Sequence, residues 1–180
     1  MNQHAPYPAE LEKPVILPDG CEILIRPIRP DDVDRLEAFF SRLSPTTIYF
    51  RFHAPLREMP RRALERYCSV DYQDTMALVA QVGQEDGLAL VGVTRYARLP
   101  KSDLAEAAVV VEDTWQRRGL GRELLITLSE IGSQNGIQGF TAAVLAENAA
   151  IRRICAQSGY ACTSRWDGGA LQMTVQFPPT

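Results

Sequence analysis

The sequence predicts one α/β domain of the α+β kind, a mixed and mostly antiparallel sheet of about six to seven strands flanked by helices. Three observations predict it. Residues 76–82 and 88–96 are apolar runs joined by the polar turn Gly83-Gln84-Glu85-Asp86-Gly87, the pattern of an antiparallel hairpin. Residues 105–111, a helical stretch over 119–135 and the apolar run 140–146 follow in strand, helix, strand order, which implies a parallel pair. Finally Leu171, Met173, Val175 and Phe177 alternate with polar residues after the turn Asp167-Gly168-Gly169, a closing hairpin with the run from Tyr160.

Residues 1–14, with Pro6, Pro8 and Pro14 among polar neighbours, read as a flexible leader, and 15–180 as a single domain. Pro18-Asp19-Gly20 is a turn, and Glu22-Ile23-Leu24-Ile25-Arg26 a first strand that ends at Pro27. Asp31 and Asp32 precede Val33, Leu36, Phe39 and Phe40 at helical spacing, with the acidic residues where the helix dipole favours them. Ser44-Pro45 opens a second helical segment, and Pro60 suits the first turn of a third over 61–67. In the helix 119–135, Leu124, Leu125, Leu128 and Ile131 are expected on one inward face. Asn148 is the expected N-cap of a short helix that buries Ile151, Ile154 and Cys155 and ends at Gly159.

A chain of 180 residues fits one core, and 46% hydrophobic with 23% charged residues is ordinary for a globular protein. The net charge of −3 argues against nucleic acid as the main partner. No run of about 18 apolar residues and no basic start before an apolar stretch occurs, so neither a membrane segment nor a leader for export is expected, and a cytoplasmic location is. Cys21, Cys68, Cys155 and Cys162 form no Cys-x-x-Cys pair, and His4 and His53 are the only histidines; no metal site is expected.

The chemistry is easiest to place where the strand Ala107-Ala108-Val109-Val110-Val111 leads into Gln116-Arg117-Arg118-Gly119-Leu120-Gly121 and a helix. Glycines at 119 and 121 let backbone N–H groups approach an anion, the helix N-terminus adds partial positive charge, and Arg117, Arg118 and Arg122 add full charges. A dinucleotide fingerprint would need glycine where Leu124 stands, and a P-loop its Gly-Lys-Ser/Thr. Taken alone, the turn fits a pyrophosphate site and a glycine-rich helix start with solvated arginines about equally.

With Gln116, Gly119 and Gly121 directly after a central strand, and with this order of elements over residues 15–177, the chain resembles the GNAT acetyltransferase superfamily. Ile25-Arg26-Pro27-Ile28-Arg29-Pro30-Asp31-Asp32, Tyr49-Phe50-Arg51-Phe52 and Ala105-Glu106-Ala107 look like the acetyltransferase domain of bacterial Pat-type protein lysine acetyltransferases. The resemblance implies a sheet splayed at an acetyl-CoA site, with acetyl-CoA as cosubstrate, no metal, and an amine acceptor on a protein lysine or a small molecule. It also implies that Val109, Val110 and Val111 offer backbone amides to the pantetheine arm and that Asn148 bonds the same arm besides capping its helix. Self-association into a homodimer through sheet edges or the C-terminal hairpin is implied as well.

An amine must lose a proton before it attacks a thioester, and the resemblance makes Glu106 the general base; without it, a solvent-facing carboxylate at a strand start is the plainer reading. Where the family often has a tyrosine that protonates the departing thiolate, this chain has Cys155, which reads as a buried thiol, leaving Tyr160 or solvent as the acid. Residues 44–70 would flank the acceptor mouth by the same resemblance, and Arg51, Arg57, Arg61 and Arg62 suit an acidic small molecule, whereas Asp71, Asp74, Glu85 and Asp86 suit a basic side chain. The rival functions are a non-catalytic acyl-CoA sensor and a binder of another nucleotide.

Overall fold

A computed structural model describes residues 5–84 and 87–178. Among these residues eight strands form one sheet in the order β1-β2-β3-β4-β5-β6-β8-β7. They are β1 (Lys13–Ile16), β2 (Glu22–Pro27), β3 (Thr75–Gln84), β4 (Gly87–Arg98), β5 (Leu104–Val111), β6 (Gly139–Val144), β7 (Ala161–Asp167) and β8 (Ala170–Gln176). All neighbours are antiparallel except β5 and β6. The helices are α1 (Val33–Ser41), α2 (Pro45–Phe52), α3 (Arg61–Cys68), α4 (Leu120–Gln134) and α5 (Ala149–Gln157). Among the described residues no helix is long and apolar enough to cross a membrane, and no group of three or more His, Cys, Asp and Glu could hold a metal ion.

The sheet has one strand more than the sequence suggests, and the extra one, β1, straddles the end of the expected leader. Lys13 to Ile16 pair with Ile25 to Glu22, and the turn at Gly20, with φ of +85°, closes this hairpin. Tyr7 packs edge-on to Tyr72, and its hydroxyl donates to Glu12 at 2.7 Å. Residues 5–14 therefore lie against the domain. Three prolines obscured a strand that needs ladder bonds on only one side. Glu85 and Asp86 of the expected β3–β4 turn lie outside the described residues.

Helices α1 to α3 cover one face and α4 the other. Register partners share a face, so Arg26 with Val79, Ala77 with Arg95, and Arg95 with Ala108 all turn toward α1–α3. Gly92 and Val111 turn toward α4: a Cβ on Gly92 would meet Leu124 Cδ1 at 2.8 Å, so any larger residue there would have to displace the end of that side chain. A register shift beside Gly92 opposes Gln81 to Leu90, leaving Val91 as the extra residue of a bulge.

The inward stripe of α4 is Leu120, Leu124, Leu128 and Ile131, all buried. Each contributes about 1.5–3 kcal/mol of burial. Leu125, expected among them, instead joins Arg122, Ile126 and Ser129 on a second stripe at the i, i+3, i+4, i+7 spacing that lines the main cavity. Helix α4 has two apolar faces, one for the core and one for the cleft, and an apolar residue beside the first belongs to the second. At its far end Asn135 Nδ2 donates to the Tyr96 hydroxyl at 2.8 Å, and Tyr96 donates to Gln73 O at 2.7 Å, tying the helix to the sheet.

Candidate active site

The cleft is built by a failure of pairing. β5 and β6 are bonded only over Leu104–Gly139, Ala105–Phe140 and Glu106–Thr141. Beyond that rung β5 stays on β4 as far as Val111, and β6 stays on β8 as far as Val144. The two strands thus part like a V, and a cavity of about 360 Å³ fills the opening.

The parity of the β4–β5 ladder decides which amides face the gap. Glu112 N donates to Val91 O at 3.0 Å and Leu99 N to Leu104 O at 2.9 Å, so even-numbered residues of β5 turn their peptide groups toward β4. Val109 and Val111 turn theirs toward the gap. Val110, expected to offer an amide with them, has its amide directed at β4, and its side chain lines a second, smaller cavity of about 40 Å³ beneath α1–α3. Spacing along a strand does not reveal which edge is open, so this distinction was not readable from sequence.

At the open end of β5 the chain makes a 3-10 turn and enters Gln116–Gly121. Gly119 has φ of +90°, and Arg117 takes the left-handed region at +61°. Arg122 N and Glu123 N both donate to Gly119 O at 3.1 Å, while the N–H groups of Arg118, Gly119, Leu120 and Gly121 have no acceptor among the described residues. These amides at a helix N-terminus form a concave donor set for an anion. A Cβ on Gly121 would stand 3.6 Å from Val111 Cγ2 and Ile154 Cδ1, in ordinary contact, so α4, β5 and α5 converge there.

The arginines of this turn are not equivalent. Arg118 stacks 4.2 Å over the Trp115 ring and donates to Asp19 on the β1–β2 turn, so it braces the loop. Arg122 leans toward Glu123 at 3.4 Å and borders the cavity, and Arg117 is exposed. Gln116 is committed too: its Nε2 donates to Val111 O at 3.1 Å and to Thr47 Oγ1 at 3.0 Å. Thr47 and Ser44 donate in turn to Asp113, linking α2 to the loop. Burial works to raise the Asp113 carboxyl, but these bonds outweigh it and hold it below its ordinary value.

Glu106 sits at the last bonded rung, where the strands part, and its exposed side chain lines the cavity. The register of β5 carries no bulge, so Glu106 shares its face with Ala108 and Val110, under α2. Phe50, Arg51, Phe52 and His53, the end of α2, form the wall above it. His53 takes φ of +54° as the helix cap, its N–H donating to Tyr49 O at 2.8 Å. This wall was expected only as a flank of the acceptor mouth. The acidic residues Asp71 and Asp74 do not reach it: both are committed to turn and β4 contacts, Asp71 with Thr75 N and Asp74 with Arg98.

Across the cleft, Asn148 Oδ1 accepts from Ile151 N at 3.4 Å, the expected cap, and the residue lines the cavity. Cys155 is buried about two turns further, and Cys162 Sγ donates to its carbonyl at 3.2 Å. Burial first, then Cys162, push the Cys155 thiol up to about 12. Such a thiol stays protonated and releases its proton reluctantly, which suits neither an acid nor a nucleophile. Tyr160 is the one tyrosine on the cavity wall among the described residues, its hydroxyl 3.4 Å from Ser129 Oγ.

A splayed parallel pair beside a glycine-started helix that presents free amides matches a known architecture. A family model described as an acetyltransferase (GNAT) domain matches residues 22–161. The chain belongs to the GNAT acetyltransferase family. An acetyltransferase of Pseudomonas aeruginosa is 36% identical over 144 residues, 80% of this chain and 77% of that protein. The acetyltransferase Pat of Mycolicibacterium smegmatis is 34% identical over 170 residues, 92% of this chain, which spans 49% of Pat's length. The GNAT domain of the S. lividans PAT superposes with a TM-score of 0.88 at 29% identity, covering 96% of this chain and 100% of that one.

As a GNAT protein the chain is an acetyl-CoA-dependent acetyltransferase. Its own residues fit that cosubstrate: unpaired amides and Arg117 at one end of the cleft suit a pyrophosphate, and an apolar channel with the amides of Val109 and Val111 on its edge suits a pantetheine arm.

Proposed function

We propose that the protein moves an acetyl group from acetyl-CoA to a primary amine, on a protein lysine or a small molecule, by direct attack with Glu106 as general base. The observation that carries this reading is the position of Glu106 on the last rung before β5 and β6 part, on the wall of the cavity of about 360 Å³ that opens there. Acetyl-CoA supplies an activated thioester when bound. The amides of residues 118–121, with Arg117 and Arg122, would hold its pyrophosphate. The amides of Val109 and Val111 and the Asn148 side chain would hold its arm.

A free lysine amine has a pKa of about 10.4 and is almost wholly protonated at neutral pH, so the proton must go to an acceptor before attack. Glu106 takes it, a contribution of about 10²–10⁴ in rate for a positioned base. A β5 amide turned toward the gap, that of Val109 or Val111, faces the oxygen on which negative charge develops. Tyr160 or water returns a proton to the departing sulfur. The high proton affinity of Cys155 argues against an acetyl-cysteine route.

The test is CoA release from acetyl-CoA with protein lysines, polyamines, amino acids and aminoglycosides, with the products weighed by mass spectrometry. Release that depends on an amine and yields the acetylated amine is expected. Equal release with and without every amine, despite tight acetyl-CoA binding, contradicts the reading and favours the acyl-CoA sensor.

A further inference from the structure

On the face under α1–α3 two guanidiniums stand without partners. Arg95 of β4 lies 4.3 Å from the centroid of the Tyr67 ring, and Arg51 of α2 lies 4.8 Å from that of Phe52. Both are half-buried, and neither makes an ion pair or hydrogen bond with any described residue. They belong to one patch: Arg51 lines both cavities, and Arg95 and Tyr67 line the smaller one with it. Burial lowers the proton affinity of both, and Arg51 lowers that of Arg95 further, yet a guanidinium stays charged. Among the described residues the one carboxylate that faces Arg51 is Glu106, and the two form no ion pair. Two cations against one distant anion leave the patch one negative charge short.

Desolvated charges are normally paired, because leaving a cation unpaired in a half-buried site costs free energy with no return unless a ligand supplies the partner. A planar guanidinium matches a carboxylate best, through two parallel N–H···O bonds. Register places Arg95 opposite Ala108, one position along the same face from Glu106, so an anion held there lies beside the base.

We infer that Arg51 and Arg95 form the binding site for a carboxylate on the acceptor, which makes the favoured substrate a small amino carboxylate whose amine is presented to Glu106. This rests on the acetyl-transfer reading of the cleft and narrows its substrate class. It sets aside cationic acceptors such as polyamines, which Arg51 and Arg95 would repel. Side chains closing the patch are aromatic and aliphatic, so the carboxylate is read by charge and the rest of the acceptor by apolar contact.

The experiment separates binding from chemistry. Titration calorimetry with the CoA-saturated protein, using a panel of amino acids and their decarboxylated amines, reads the site without turnover. At least one amino acid is expected to bind about tenfold or more tightly than its decarboxylated counterpart, with Arg95→Met and Arg51→Met each reducing that advantage toward one and Arg95→Lys keeping part of it. Methionine preserves the stem packing, and the lysine variant guards against a loss caused by misfolding. Equal affinity for both members of every pair, or an advantage that survives both methionine variants, overturns the inference. The acetylation panel then speaks to the underlying reading alone: if an amino acid binds but no amine in the panel is acetylated, the transferase reading falls while the carboxylate site stands.

Discussion

Arg26 and Arg95 stand on one face of the sheet and Arg51 on α2, one of the helices that cover it, so all three are taken at least partly out of water in the same layer. Arg26, 2% exposed, is fully answered: two bonds of 2.7 and 2.8 Å run to the Asp32 carboxylate, one of 2.9 Å to Gln81 and one of 3.0 Å to Pro27 O. Asp32 is answered in turn by Arg35 and by Arg29 N–H. Arg95, two strands away on β4, and Arg51, on α2 above it, rest on aromatic rings only. A cation whose partners are supplied by the fold secures the fold; one whose partners are missing awaits something from outside.

The largest effect should follow from breaking the answered pair. Asp32→Asn leaves Arg26 buried without a counter-charge and should cost about 3–5 kcal/mol of stability, read from the denaturant midpoint. A loss below about 1 kcal/mol would mean that Arg26 is not dependent on Asp32. The pair also has a pH signature. Burial works to raise the Asp32 carboxyl, but the hydrogen bonds from Arg26 and Arg29 N–H, the Arg26 charge and Arg35 outweigh it and hold it below its ordinary value. A depressed carboxyl contributes stability that is complete above its unfolded value, near pH 4, and is lost as pH falls through the lower folded value. Wild-type stability should therefore fall across that acid window, and the fall should be shallower in Asp32→Asn.

The unanswered side should behave in the opposite way. Arg95→Met removes a desolvated cation while keeping its aliphatic stem, so stability should change by less than about 1 kcal/mol, the lost ring contact and the relieved charge opposing each other. Thermal melts without ligand check this. A loss as large as that in Asp32→Asn would make Arg95 a structural residue and erase the contrast.

That contrast was only half legible in the sequence. Element order, the parallel pair, the Asn148 cap and the Gln116-to-Gly121 turn were all readable, because each rests on local periodicity or on residue types that only a turn or a cap demands. The Ile25-to-Asp32 segment was legible as a family likeness, but its reason, a charge pair closed within seven residues, appears only when the strand and the following turn are folded together. β1 was hidden by prolines. Leu125 was misassigned because a helix serving both a core and a cleft has two stripes that adjoin. That Val110 faces β4 while Val109 and Val111 face the gap depends on ladder parity, which no single strand encodes. Nothing local singles out Arg95: it stands in an apolar run as an ordinary alternating charge, and its isolation is a property of its neighbours.

The central claim is that the last bonded rung, at Glu106, is where the acceptor loses its proton, and the pH profile of acetyl transfer in Glu106→Gln tests it most directly. Glutamine keeps the size and the strand position but cannot accept the proton, so kcat/KM for the best amine should fall by about 10²-fold or more at neutral pH. The deficit should shrink as rising pH deprotonates the amine unaided, with acetyl-CoA affinity unchanged throughout. Wild-type rates across the whole profile would contradict the claim and remove Glu106 from the mechanism.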